Sequence, residues 1–318
     1  MRSALRLSLR CLLASLLAAA VQTGGVLAED LELATAAYPI SLAPLPTVAA
    51  FPPSLYSPDL RGDPRISRLW AETVEAERIR DVGHAAELKR RVLELLPGDV
   101  HTRWRLARDL LNLGEAMPAD QKRERLRIYR EARALASSAA GADPDCVECC
   151  FYDFAATSRI ATIKGALRSI SLIKASGHVL ERCLAMEPSV WSDTDWNHER
   201  GNLYYGAAVY YRMVPDTWWM ERLLGFRGDK RAAVQLARQA YEVTPSRIDY
   251  RVELGVALIC LGNATDEDAA RAEGMALLGD LDELSMRLAT DPLDILRAAE
   301  VRAEPDGACG NARSFEIE

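Results

Sequence analysis

From Pro64 to about Glu304 apolar side chains return every three or four residues, the period of an amphipathic α-helix. Ile66, Leu69, Trp70 and Val74 open the pattern, and Asp63-Pro64 ahead of them supplies a capping residue and a proline at the first helical position. No alternating apolar and polar run of strand length occurs, and no Asn-Gly or Asp-Gly turn joins β-rich stretches. The pattern predicts an all-α fold.

A slower period overlies the fast one. The phrases Leu95-Leu96-Pro97-Gly98-Asp99, Ala142-Asp143-Pro144-Asp145, Met186-Glu187-Pro188-Ser189, Val243-Thr244-Pro245-Ser246 and Thr290-Asp291-Pro292-Leu293 each end one helical run and open another. Their prolines lie 47, 44, 57 and 47 residues apart. Proline cannot continue the helix before it, and an Asp or Ser behind it can cap the next. Helix pairs recurring at such a spacing mark an α-solenoid rather than a closed bundle.

One unit indicates the type. After Gly228-Asp229-Lys230, Ala233, Ala237 and Ala240 follow at four and three residues, a flat stripe on which a neighbouring helix can pack closely, and Pro245 stops the run. The next helix carries Leu254-Gly255 and Leu258 and stops at Leu261-Gly262-Asn263. This resembles the tetratricopeptide (TPR) repeat, with other units degenerate: Ala175, Val179 and Cys183 before Pro188 keep the spacing without the composition. The expected architecture is a TPR-like helix-turn-helix α-solenoid with insertions. A wider resemblance rests on Arg200-Gly201, Tyr204-Tyr205-Gly206-Ala207-Ala208, Tyr210-Tyr211, Pro215, Gly225-Phe226-Arg227-Gly228-Asp229-Lys230 and Pro245 in that order, with Asp143-Pro144-Asp145-Cys146 and Phe151-Tyr152 upstream. That order is similar to the T-component family of TRAP transporters, over residues 70 to 285. The resemblance implies an extracytoplasmic helical protein that partners a periplasmic substrate-binding protein, holds small organic ligands in a central opening, and assembles as a homo-oligomer.

The N-terminus agrees with that address. Met1 to Arg10 carries three arginines and no acid, Cys11 to Val21 is apolar apart from Ser15, and Val26 and Ala28 have the spacing of a cleavage site before Glu29. Residues 1–28 therefore read as a cleaved secretory signal, and the apolar run is only about half of the roughly 20 residues a membrane span needs. Cys11 follows Arg10 and has no lipobox around it, so the expected location is periplasmic or secreted, with no transmembrane span after cleavage. Seven of the 15 prolines fall between Pro39 and Pro64, which makes residues 29–63 an extended arm or linker. The helical domain is expected over 64–304 and a flexible tail over 305–318. The whole chain has a net charge of −7, with 39 Lys plus Arg against 46 Asp plus Glu, which argues against a generic nucleic-acid surface.

Six cysteines remain beyond the signal: Cys146, Cys149, Cys150, Cys183, Cys260 and Cys309. An even number in an oxidising compartment points to disulfides. In a helical hairpin the start of one helix lies beside the end of the next, so Cys149 or Cys150 is placed to pair with Cys183, and Cys260 can reach Cys309 if the tail folds back. Cys146-Val147-Glu148-Cys149 is also a C-x-x-C motif opening a helix, and a thiol-disulfide redox protein using Cys146 and Cys149 is the alternative reading. No βαβ pattern surrounds that motif, and His84, His101, His178 and His198 are too scattered for a metal site.

Aromatic residues concentrate in one place. Trp191, Trp196, Tyr204, Tyr205, Tyr210, Tyr211, Trp218 and Trp219 fall within 29 residues of a chain with 10 Tyr, 6 Trp and 5 Phe. As wedges between helices they would serve packing; as a groove they would bind a ligand or partner. Trp196, Tyr204, Tyr205, Tyr210, Tyr211, Trp218 and Trp219 are the candidate binding residues. His198-Glu199-Arg200 is followed by Gly201-Asn202 where a zinc protease needs a second His, and no G-x-S-x-G or phosphate loop occurs. The run Lys122, Arg123, Arg125, Arg127 and Arg130 is balanced by Glu124 and Glu131 and reads as a solvated helix face. The sequence thus predicts a non-catalytic binding protein without cofactor or metal, acting on a protein partner or a small organic ligand.

Overall fold

The computed structural model describes residues 63–79, 81–118, 120–186, 193–194, 197–281, 283–286, 288 and 290–311, all within one compact unit of the chain. The proposed signal and arm (1–62), Trp191, Trp196 and residues 312–318 lie outside the described residues.

Twelve helices account for nearly all of the described chain: α1 (Pro64–Arg78), α2 (Val82–Leu95), α3 (Val100–Glu115), α4 (Lys122–Ala142), α5 (Val147–Lys164), α6 (Ala166–Ala185), α7 (Glu199–Met213), α8 (Trp218–Leu224), α9 (Lys230–Val243), α10 (Ile248–Thr265), α11 (Asp268–Leu277) and α12 (Asp291–Ala303). A two-residue antiparallel bridge, with Asp193 opposite His198 and Thr194 opposite Asn197, precedes α7. A single 3-10 turn, Pro305–Gly307, follows α12. The all-α expectation holds.

Local sequence sets where the helices begin. Asp63, Asp81, Asp99 and Asp229 each cap a helix with a side-chain oxygen, accepting from Arg65 N at 2.8 Å, His84 N at 2.9 Å, Thr102 N at 2.7 Å and Ala232 N at 2.9 Å. Each satisfies an amide that the first turn leaves without an intrahelical partner. At α5 the cap is Cys146, whose Sγ accepts from Cys149 N at 3.1 Å.

The helices pack in sequence order. α1 lies on α2, α2 on α3, α3 on α4, α4 on α5 and α5 on α6; beyond the bridge α7 lies on α9, α9 on α10 and α10 on α11 and α12. Consecutive packing of this kind is that of an α-solenoid. The alanine stripe behaves as its spacing predicts: Ala233, Ala237 and Ala240 are buried, and Ala132, Ala136 and Ala139 do the same for α4. Small side chains let the helix axes approach, so the core is thin in volume but closely packed. The main core cluster runs from Trp104 through Tyr129, Phe151 and Phe154 to Leu203, and a separate one joins α10 to α12 through Val256, Ile259, Ala298 and Val301.

The six cysteines from Cys146 onward are all bridged. Cys150–Cys183 ties the start of α5 to the end of α6, Cys260–Cys309 ties α10 to the segment after α12, and Cys146–Cys149 closes the first turn of α5. The hairpin argument left Cys149 and Cys150 as alternatives for Cys183, and the structure selects Cys150. One boundary differs from the expectation. The chain does not become a free tail at residue 305: Ala308 is buried, Cys309 is bridged and Asn311 is hydrogen-bonded to Arg297. The Cys260–Cys309 bridge, for which the tail folds back, and the buried Arg212 and Arg297 hold residues 305–311 against α7, α10 and α12; the arginine contacts are what the polar, glycine-containing sequence does not reveal.

Candidate functional site

The repeat prolines supply a frame for the polar interior. Four residues after Pro97, Pro144 and Pro245 stand His101, Glu148 and Asp249; eight residues after them stand Arg105, Tyr152 and Glu253. All six are buried, the most exposed of them at 6 %. Positions four apart share one helix face. In each helix that face turns toward an earlier helix of the stack. Arg105 of α3 reaches Glu77 of α1, Tyr152 of α5 stacks on Trp104 of α3 with ring centroids 5.9 Å apart, and Glu253 of α10 binds Arg212 of α7. The result is a polar and aromatic seam repeated along the solenoid.

At its N-terminal end the seam is ionic. Glu77 accepts from Lys89 Nζ at 2.7 Å, Arg105 Nη2 at 3.0 Å and Arg108 Nη2 at 2.8 Å, and Lys89 also pairs directly with Asp109. Burial pushes the Glu77 carboxyl up, but Arg105, Lys89 and Arg108 outweigh it and hold the group well below the usual carboxylate range. The Arg105 guanidinium lies 5.3 Å from the Trp70 ring centre and 5.9 Å from that of Trp104, and Arg108 lies 5.8 Å from Trp104. His101 sits between the two indoles, 5.6 Å from Trp70 and 5.2 Å from Trp104. Burial, then the neighbouring Arg105, depress its pKa well below the ordinary imidazole value, so it is neutral.

At the C-terminal end a second network forms. Arg212 Nε donates to Glu253 Oε1 at 2.7 Å and Arg297 Nη2 to Glu253 Oε2 at 2.7 Å. Arg212 Nη1 also donates to the carbonyls of Ala308 and Cys309, at 2.9 and 3.0 Å. Beside it, Arg247 pairs with Asp249, donates to Asn202 Oδ1 at 2.9 Å and lies 4.0 Å over the Tyr250 ring. Tyr250 OH donates to the same Asn202 oxygen at 2.7 Å, and its ring tilts against Tyr205 of α7 at 5.7 Å.

The aromatic residues singled out in the sequence do not form one groove. Tyr205 turns toward α10. Tyr210 and Tyr211 touch each other, and Tyr210 continues into Phe154 of α5 at 6.1 Å while its hydroxyl donates to Ile173 O of α6 at 3.1 Å. Burial pushes both of these phenols up. Tyr204 is half-buried under the Arg200 guanidinium, 5.6 Å away. Trp218 is exposed at the start of α8; Trp219 follows it on α8, and its side chain, like Trp196, lies outside the described residues.

A continuous run of ring contacts nevertheless crosses the repeats: Trp70, His101, Trp104, Tyr152, Phe151, Phe154, Tyr210 and Tyr211. Its first half, together with Glu77, Lys89, Arg105 and Arg108, was not legible as a site in the sequence. The signal that could have found it is the constant offset of ionisable residues from the repeat prolines. Within the seam Glu77, Asp109, Asp249 and Glu253 are each paired with a buried or half-buried cation, whereas Glu148 faces the Cys146 sulfur. Among the described residues no group of three His, Cys, Asp or Glu is placed to hold a metal ion, and no helix is long and apolar enough to cross a membrane. No family model matches this chain, and no curated protein matches it.

Proposed function

We propose that the protein is an exported, non-catalytic binding protein that offers half-buried Tyr204, Tyr205 and Asn202 of α7, at the border of the buried seam, to a protein partner or a small organic ligand. The observation that carries this reading is that half-buried Tyr205 and Asn202 stand against Tyr250 and Arg247, where the polar seam of the third repeat comes nearest the surface. The similarity of the Arg200–Pro245 motifs to the T-components of TRAP transporters gives the reading a more specific form. In that form the protein is an accessory of a periplasmic solute-transport system, with a substrate-binding protein as its partner.

The competing reading is a thiol-disulfide protein using Cys146 and Cys149. Their position at the start of α5 favours it, but the burial of both sulfur-bearing residues, at 4 % and 0 %, weighs against attack by an outside thiolate. Native mass spectrometry of the protein recovered from the cell that exports it separates these readings. A retained small-molecule mass, or one co-purifying protein in fixed stoichiometry, lost on Tyr205→Ala, is the expected result. A bare monomer refutes the binding reading. Cysteines that free themselves under mild reductant without unfolding support the redox one.

A further inference from the structure

Between α7 and α9 the chain leaves the helix stack over residues 215–228 and returns to its starting point. The base of this excursion is locked. Gly228 N donates to Pro215 O at 3.0 Å and Asp229 N to Tyr211 O at 3.1 Å, while Lys230 Nζ donates to the carbonyls of Arg212 and Val214 at 2.6 and 2.8 Å. The two sides of the stem lie so close that a Cβ on Gly228 would overlap the Val214 and Tyr211 carbonyl oxygens. At the far end, α8 is stopped by Gly225 in the left-handed region, φ 72°, and Gly225 lies against Lys174 of α6.

This stem carries α8. The helix reads Trp-Trp-Met-Glu-Arg-Leu-Leu, and Trp218 is 68 % exposed. Met213 at its foot and Ile170, one turn before Lys174, are both 38 % exposed. Trp218 and Met213 thus belong to the excursion and its foot, while Ile170 lies on α6, the helix whose Lys174 meets Gly225. Two cations stand at the helix: Lys174 lies against Gly225, and Arg222 follows Trp218 by one turn of α8, while Arg227 is paired with Asp216 and Glu221.

We propose that the α8 excursion is a membrane-docking element, which lays Trp218 and Met213 into the headgroup layer of an anionic bilayer with Lys174 and Arg222 against the lipid phosphates. Tryptophan is favoured at that depth because it joins a large apolar body to one polar N–H. Lysine and arginine stems lie along apolar surface while their heads reach the phosphates. A short helix with both features lies in the interface rather than across it. The locked stem fixes the angle of presentation, so little freedom is lost on docking. This inference does not depend on what Tyr204, Tyr205 and Asn202 bind.

Vesicle sedimentation tests it, using the protein in the form the exporting cell accumulates. Vesicles of phosphatidylglycerol mixed with phosphatidylcholine are compared with phosphatidylcholine alone. Binding to the anionic vesicles is expected, weakening about tenfold on moving from low salt to about 0.5 M salt as the charges are screened. Trp218→Ser and the double variant Lys174→Glu/Arg222→Glu should each lower anionic-vesicle partitioning about tenfold with unchanged circular dichroism, since they remove the anchor or the charges separately. Absence of binding to anionic vesicles overturns the proposal, as does equal binding by wild type and Trp218→Ser. A Trp218→Ser variant that dissolves a dimer, with no vesicle binding in either protein, also overturns it and makes the patch a contact between two copies of the chain.

Discussion

Arg212 and Glu253 meet through two hydrogen bonds, 2.7 and 3.2 Å, with both side chains wholly removed from solvent. Arg297 reaches the same carboxylate, so one buried negative charge holds two buried positive ones from α7 and α12. Burial alone raises a carboxyl pKa, yet Glu253 is held below its ordinary value by the two guanidinium groups. The contact joins the last helix of the stack and the segment after it to α7, which no apolar cluster does at that point.

Glu253→Gln keeps the shape and removes the carboxylate that Arg212 and Arg297 share, although Asp294 still acts on Arg297. Breaking a buried pair in this way costs about 3–5 kcal/mol. Urea denaturation should show a large fall in midpoint with little change in slope. Glu221→Gln, on an exposed pair with Arg227, should change stability by less than about 1 kcal/mol.

His101 gives the pH dependence a signature. Its folded-state pKa lies below the ordinary value of 6.5, so between that value and its folded pKa the unfolded chain binds more protons than the folded one. Its stabilising contribution is therefore complete above about pH 6.5 and is lost as the pH falls, with a slope of up to about 1.4 kcal/mol per pH unit. Glu77 and Glu253 add losses of the same sign only below about 4.5, their unfolded value. Asp153 and Glu300, pushed up by burial, act in the opposite sense, so the readout is a difference between proteins. Thermal melts of His101→Asn and wild type from pH 7.5 to 5 should converge as the pH falls. Parallel curves would show that the imidazole does not titrate against its arginine neighbours.

The three disulfides should contribute unequally, because a cross-link restricts the unfolded chain more when it closes a longer loop. With sequence separations of 33 and 49, Cys150–Cys183 and Cys260–Cys309 are each expected to contribute about 4 kcal/mol on the chain-entropy relation. Cys146–Cys149, with a separation of 3, contributes about 2 kcal/mol or less. Serine pairs at each bridge, compared by urea midpoint, check the order. A Cys146→Ser/Cys149→Ser variant as damaged as the other two would mean that the first turn of α5 depends on its bridge.

Much of the architecture is written in short-range signals. The prolines that end the helices, the aspartates that cap them and the Ala233-Ala237-Ala240 stripe act within a turn or two, so a reader of the sequence meets cause and effect together. The Cys150–Cys183 pairing was nearly legible because hairpin geometry limits which helix ends can meet. The seam was not legible. Glu77, Lys89 and Asp109 come from three helices, and on each helix alone a charged residue reads as solvent-facing. The aromatic cluster misled for a related reason. Tyr205 and Tyr210 are five residues apart, about 140° around the helix, so one faces α10 and the other α6. Density in sequence became two separate packings in space.

Gly228 offers the most direct test of how the α8 excursion is held. Its amide donates to Pro215 O, and the space that a side chain would need is filled by the Val214 and Tyr211 carbonyls, backbone atoms that cannot rotate away. Gly228→Ala must therefore open the stem, and overpacking of this kind costs about 1–3 kcal/mol. Gly98, by contrast, has no atom within 4 Å of the place a methyl group would take and no left-handed φ, so Gly98→Ala should be neutral or gain about 0.4–1 kcal/mol from a less flexible unfolded chain. Opening the stem also separates Lys230 Nζ from the Arg212 and Val214 carbonyls, so amide exchange over residues 211–230 should quicken in Gly228→Ala while that of α3 and α4 stays slow. Equal stability of the two alanine variants would show that the stem yields without cost, and the fixed presentation of Trp218 would lose its basis.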